Sequence, residues 1–222
     1  VGIGLAMIAK GPIALIFVGI AVGGDLILKR NWKAIFNPKW LITLLIIAIM
    51  LAPMLYGLYH QFDLHPEKTV YELEGPSGIK FFFWTQSFGR ITGDIYWSND
   101  AGPFYFLHTI LWDMQPWVLL FYAAFFAKLI SLIKKRFRIQ KTEEFIAFSG
   151  FTLLFIALSA SNYKLPHYVF ILFPLAAIIT SEFLFKLYES RERVLKTIGK
   201  IQFIIMHLFF AAIFIAFAFV FD

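Results

Sequence analysis

The chain has 222 residues, of which 60% are hydrophobic and only 15% charged, and its mean hydropathy is +0.75. So little polar material cannot cover a water-facing surface, which excludes an ordinary soluble domain and points to a polytopic membrane protein. There is no cysteine, hence no disulfide and no thiolate metal site, and the net charge of +6 matters through its placement more than its sum.

A helix needs about 20 apolar residues to cross roughly 30 Å of hydrocarbon. Six stretches meet that demand: Ile3–Gly24, Trp40–Tyr59, Pro103–Ile133, Phe145–Ser161, His167–Leu187 and Ile201–Val220. The third is too long for one straight span. It reads as a short interfacial piece to Gln115 and then a span starting at Pro116, since proline is tolerated in a first helical turn. The expected fold class is therefore an all-α membrane protein, a polytopic helical bundle with one long loop at 60–102. The first apolar stretch is not a signal peptide: it is long, with no charged leader and no cleavage site. Because the sequence opens at Val1 already inside apolar sequence, residues 1–222 are expected to be a fragment of a longer membrane protein.

Orientation follows from the basic residues. Lys29, Arg30, Lys33 and Lys39 lie between the first two stretches. Lys128, Lys134, Lys135, Arg136, Arg138 and Lys141 fall at the third connection, and Lys186, Arg191, Arg193, Lys196 and Lys200 at the fifth. These three alternate connections are assigned to the cytoplasm. The opposite face then receives the start of the chain, the loop with Arg90, the turn with Lys164 and the C-terminal end. No internal repeat of the kind that marks many transporters is visible.

Lys10 stands within the first apolar stretch, before Gly11-Pro12. A lysine at mid-helix costs about 2.5–3.5 kcal/mol on insertion scales, so it should face protein, water or an anion. A lysine near the outer end that snorkels to the interface explains it equally well. In the loop, Trp84, Phe88, Ile91 and Ile95 fall at helical spacing, with Gln86, Arg90 and Asp94 on the opposite face. Such an aromatic-rich amphipathic segment suits the membrane interface. Arg90 is either a surface partner of Asp94 or a phosphate ligand, for which its planar fork is suited. Asn99 and Asp100 precede Gly102-Pro103 and read first as helix caps. His108 and Asp113 sit in apolar surroundings, where a lone histidine is usually structural. Asn162 to Tyr168, NYKLPHY, places Lys164, His167 and Tyr168 in one tight turn, more donors than a turn requires. His60, His65 and His207 show no metal-ligand spacing, and no Walker loop, serine elbow or dinucleotide glycine pattern is present.

Four stretches are familiar together: GLAMIAKGP ending at Pro12, FFFWTQSFGRITG at Phe81–Gly93, PFYFLHTILWDMQPW at Pro103–Trp117 and SNYKLPHYVFILFPLAAI at Ser161–Ile178. On these the chain resembles the C-terminal half of bacterial membrane glycosyltransferases of the protein-O-mannosyltransferase and aminoarabinose-transferase superfamily. The resemblance implies a GT-C fold and a donor sugar carried on a polyprenyl phosphate. It implies transfer with inversion on the non-cytoplasmic side of the bacterial inner membrane, to a lipid A, protein or polysaccharide acceptor, with membrane lipids and no nucleic acid as partners. Lys10 and Arg90 would then face the donor cavity, and Tyr168, supported by Lys164, would lie near the lipid phosphate. His167, Asn99, Asp100 and His108 would line the substrate cavity. The acidic base of the family lies in an N-terminal loop outside this sequence, so no catalytic residue is assigned here and residues 1–222 alone should be inactive. No cofactor is assigned within them, and any divalent metal would be bound by that N-terminal part. Many relatives carry a histidine shortly before the Pro-Phe motif, where this chain has Asn99-Asp100-Ala101-Gly102, so that histidine's role does not carry over. Two other readings compete: an O-antigen ligase or polymerase using a diphosphate donor, and a transporter moving the lipid-linked sugar without chemistry.

Overall fold

Gly11 decides the shape of the first apolar stretch. In the computed structural model, which describes residues 1–70, 73–85, 89, 101–161, 163–189 and 193–220, helix α1 (Gly2–Lys10) stops there and α2 (Ile13–Leu28) starts afresh. Gly11 takes φ 80, a left-handed value that glycine adopts without a Cβ penalty. Its N–H donates to the Met7 carbonyl at 2.7 Å. Pro12, with no N–H to give, then opens α2. The single span expected over Ile3–Gly24 is thus two helices.

Arg30, also at positive φ, turns the chain into the short α3 (Trp32–Ile35), where the Asn31 side chain accepts from the Ala34 N–H. Pro38 opens α4 (Lys39–Leu58), which continues as a wider π-helical turn over Tyr59–Asp63. A two-residue hairpin follows, β1 (Thr69–Val70) antiparallel to β2 (Leu73–Glu74) with Val70 opposite Leu73. It departs from an all-helical expectation, and β1 is a β-branched pair, Thr69-Val70, which suits a strand. Next come α5 (Gly78–Lys80) and a π turn over Phe81–Thr85.

The third stretch divides as expected. Helix α6 (Tyr105–Asp113) ends at Met114, and α7 (Val118–Lys134) begins two residues after Pro116. Then follow α8 (Ile146–Ser159), a 3-10 turn over Pro166–Leu172 that runs into α9 (Phe173–Glu189), and α10 (Arg193–Val220). Among the described residues three helical runs are long and apolar enough to cross a membrane: Trp32–Asp63, Pro166–Glu189 and Lys196–Phe219. That is the architecture of a helical membrane protein. The fourteen residues of α8 rise only about 21 Å, short of the hydrocarbon thickness.

Two cores hold the helices. The larger joins α6, α7, α8, the 3-10 turn and α9 through Phe106, Ile110, Phe121, Phe151, Val169, Leu172 and Ile179. Its aromatic rings interlock, Phe125 stacked on Phe148 at 5.0 Å and Phe121 edge-on to Phe151 at 4.8 Å. The smaller joins α1, α4 and the loop through Met7, Ile47, Leu51 and Phe82. Lipid tails are as apolar as leucine, so close packing rather than escape from water has to hold such helices. The α2–α8 seam shows how: Gly24 faces Ser149, Gly150 faces Ala21, and Ser149 Oγ donates to the Ala21 carbonyl at 3.0 Å.

Polar clasps close the rest. Lys128, assigned from sequence to a connection, sits inside α7. Its ammonium donates to Glu182 on α9 and to the Glu144 carbonyl at 3.0 Å, and lies over the Phe145 ring. Gln202 of α10 is buried and donates to the Pro116 carbonyl at 2.7 Å. On the segment joining α7 to α8, Lys135 bonds both oxygens of Glu143 at 2.9 Å, which holds that carboxyl below its ordinary range.

Candidate functional site

Lys164 is the best-defined of the candidate residues. It lies in the turn between α8 and the 3-10 segment, where Ser161 Oγ donates to the Tyr163 carbonyl at 3.0 Å. Leu165 is extended before Pro166, as a residue preceding proline should be. The Lys164 side chain is 6% exposed, and its Nζ donates to the Ala101 carbonyl at 3.0 Å across 63 positions of sequence. A lysine so buried needs such partners, because removing an ammonium from water without them is costly.

That bond ties the KLPHY turn to the residue following Asn99-Asp100. The packing agrees: Phe106 and Ile110 of α6 share the larger core with Val169 and Leu172 of the 3-10 turn. Tyr168 is half-buried against this core, its N–H donating to the Leu165 carbonyl at 3.0 Å. His167 is exposed and meets the Tyr168 ring edge-on at 4.9 Å. His108 is exposed on α6, where its Nε2 accepts from Trp112 Nε1 at 3.3 Å. The structure therefore gathers Lys164, Tyr168, His167 and the start of α6 at one end of the larger core.

Lys10 ends α1, the helix that enters the smaller core through Met7. It is exposed there, at a position where a cation complements the helix dipole. Met7, one turn earlier, packs with Phe82 of the aromatic run. Helix α1 thus meets the FFFWT segment through that pair, one turn before the KGP motif. Arg90, Asn99 and Asp100 lie outside the described residues, as do Phe88, Ile91, Ile95, Gln86 and Asp94 of the expected amphipathic helix. Trp84, the first of that stripe, lies in the π turn.

Several polar residues escape a reading of the sequence. Asp63 accepts from Ser77 Oγ, from the Gly78 N–H at 2.9 Å and from the Ile79 N–H at 3.4 Å. It fastens the start of the aromatic segment to the end of α4, and no sequence pattern signals a pairing fourteen residues apart. Asp25 is 4% exposed on α2, with Lys29 Nζ 2.8 Å away. A carboxylate inside an apolar helix with a lysine four residues on is a signal that could have found it.

No family model matches the chain, and no solved structure matches it. The chain is similar to the undecaprenyl phosphate-alpha-4-amino-4-deoxy-L-arabinose arabinosyl transferase of Edwardsiella ictaluri, 26% identical over 205 residues that make up 91% of this chain and 33% of that protein. The chain thus spans about a third of the length of the curated relative it matches, and the likeness relates it to membrane glycosyltransferases.

Proposed function

We propose that the chain forms the C-terminal membrane part of a GT-C glycosyltransferase that moves a sugar from a polyprenyl phosphate to a lipid, protein or polysaccharide acceptor on the non-cytoplasmic face. The observation that carries this reading is the Lys164–Ala101 bond, which brings the KLPHY turn against the end of the loop. The KLPHY turn belongs to a stretch that resembles this superfamily, Ala101 stands two residues before another, and the similar arabinosyl transferase names an undecaprenyl-phosphate sugar.

In the reaction an acceptor oxygen attacks the anomeric carbon from the face opposite the phosphate. The bond from that carbon to the phosphate oxygen breaks, and polyprenyl phosphate leaves with the electron pair. The acceptor proton passes to an acidic base outside residues 1–222. What this part supplies is charge: Arg90, Lys10 and Lys164 offset the negative charge that builds on the leaving phosphate, and Tyr168 donates to it. A transporter would need none of these groups to act on a breaking bond.

The test is Arg90→Ala in the full-length enzyme with a polyprenyl-phosphate sugar. Transfer should fall by at least about a hundredfold, the scale of losing one charge-stabilising group, with expression intact. Unchanged turnover removes Arg90 from the site. Transport of the lipid with no glycosylated product in the wild type would replace the transferase with a carrier.

A further inference from the structure

A cleft of about 340 Å³ lies between the α6–α7 break and α9. Asp113, Gln115 and Trp117 wall one side, and Ala177, Thr180 and Ser181 the other. The volume is at the lower end of small-molecule sites. Thr180 and Ser181 belong to a helical run apolar enough to span a membrane, where polar side chains are expensive and turn toward protein or a wet cavity.

Among the described residues of the lining, hydrogen-bond acceptors outnumber donors. Thr180 Oγ1 donates to the Ala176 carbonyl and Ser181 Oγ to the Ala177 carbonyl, each at 2.7 Å. Both hydroxyls spend their proton inside the helix and keep oxygen lone pairs to accept with. Gln115 donates through Nε2 to the Leu111 carbonyl at 2.9 Å, which leaves its amide oxygen an acceptor and one N–H a donor. Asp113 adds an exposed carboxylate, and among the described residues no lysine or arginine lines the cleft. Such a lining suits a ligand rich in O–H donors, and the Asp113 carboxylate repels a phosphate, which is anionic. Trp117, 41% exposed, adds a flat apolar face.

Distance separates this cleft from the Lys164 anchor. Ala101, which Lys164 holds, precedes α6, and Asp113 ends it. The nine residues of α6 rise about 13 Å, longer than one sugar ring. A sugar attached directly to a phosphate at Lys164 would not reach Asp113. The cleft therefore suits a second ligand.

We infer that the cleft binds the hydroxylated, uncharged head of a glycoside, a subsite on the acceptor side of the proposed transfer. Asp113 and the oxygens of Thr180 and Ser181 accept from its hydroxyls, and Trp117 covers a ring face. The acceptor role rests on the transferase reading; binding does not.

The full chain in lipid nanodiscs would be photolabelled with two probes sharing a diazirine-bearing octyl tail, one headed by β-D-glucose and one by phosphate. Peptides covering residues 113–117 and 173–184 should be labelled by the glucoside about tenfold more than by the phosphate, the ratio one charged hydrogen bond supports. Asp113→Asn should erase most of that preference, and Ala177→Phe, which fills the cleft, should remove the labelling. Size-exclusion profiles check that both variants fold, and Asp113→Asn alters only an exposed side chain. Equal labelling by both probes, which marks an acyl groove, overturns the inference, as does labelling that survives Ala177→Phe. Because labelling needs no turnover, glucoside labelling of the full-length protein that transfers no sugar from a polyprenyl-phosphate donor would sink the transferase reading alone. Transfer without glucoside binding would sink the subsite alone.

Discussion

Lys164 Nζ donates to the Ala101 carbonyl at 3.0 Å from a side chain only 6% exposed. One lysine thus has two tasks in the proposed enzyme: it closes the bundle against the end of the loop, and it contributes positive charge there. Lys164→Met removes both and leaves a carbonyl without this donor, a cost of about 1–3 kcal/mol. The thermal midpoint in detergent should drop. Lys164→Arg keeps the charge and a donor, so its affinity for polyprenyl phosphate should exceed that of Lys164→Met. Equal affinity in the two variants would make Lys164 purely structural.

Asp63 makes a claim on the aromatic segment. Its carboxylate receives the Ser77 hydroxyl and the Gly78 and Ile79 amides, just before Phe82 enters the small core with Met7. Asp63→Ala should speed amide hydrogen exchange severalfold over residues 77–82 while leaving α8 and α9 unchanged. Protection that persists at Gly78 and Ile79 would show that Asp63 does not hold the segment.

The fates of these residues show what a sequence carries. Gly11-Pro12 and Pro116 interrupt helices for local reasons, so both breaks are legible in the sequence, although the span expected over Ile3–Gly24 runs through the first. Lys164, His167 and Tyr168 stood out because a turn needs no such donors, and the structure keeps them together. Asp63–Ser77, Lys128–Glu182 and Gln202–Pro116 pair across fourteen, 54 and 86 positions. No periodicity links such partners, since tertiary packing alone chooses them. The cleft beside Asp113 was hidden for the same reason: its hydroxyls are 67 and 68 residues beyond its carboxylate.

The α2–α8 seam is sharp enough to test by one methyl group. A Cβ on Gly150 would stand 2.8 Å from the Ala21 Cβ, closer than two carbons can approach. Gly150→Ala should cost about 1–3 kcal/mol by forcing the helices apart, even though alanine is the better helix former by about 1 kcal/mol. Adding Ala21→Gly restores the space, so the double variant should regain part of the loss. Additive effects of the two changes would mean the contact is not the cause.

Lys128 carries the last test. Its ammonium, with 11% of the side chain exposed, is shared between Glu182 and the Glu144 carbonyl, and Glu182 is also held by Lys186 at 2.7 Å. Breaking a fully buried pair by removing one partner costs about 3–5 kcal/mol because a charge is left behind. Here Glu182 is 35% exposed and keeps Lys186, so water and the second lysine absorb part of the loss. Lys128→Met should therefore destabilise by about 1–3 kcal/mol. Glu182→Gln in the Lys128→Met background should cost much less than Glu182→Gln alone, because the charge it removes has already lost its main partner. Chemical denaturation of the four variants in detergent measures the cycle. A coupling near zero would show that α7 and α9 are held by the Phe121 and Ile179 core alone.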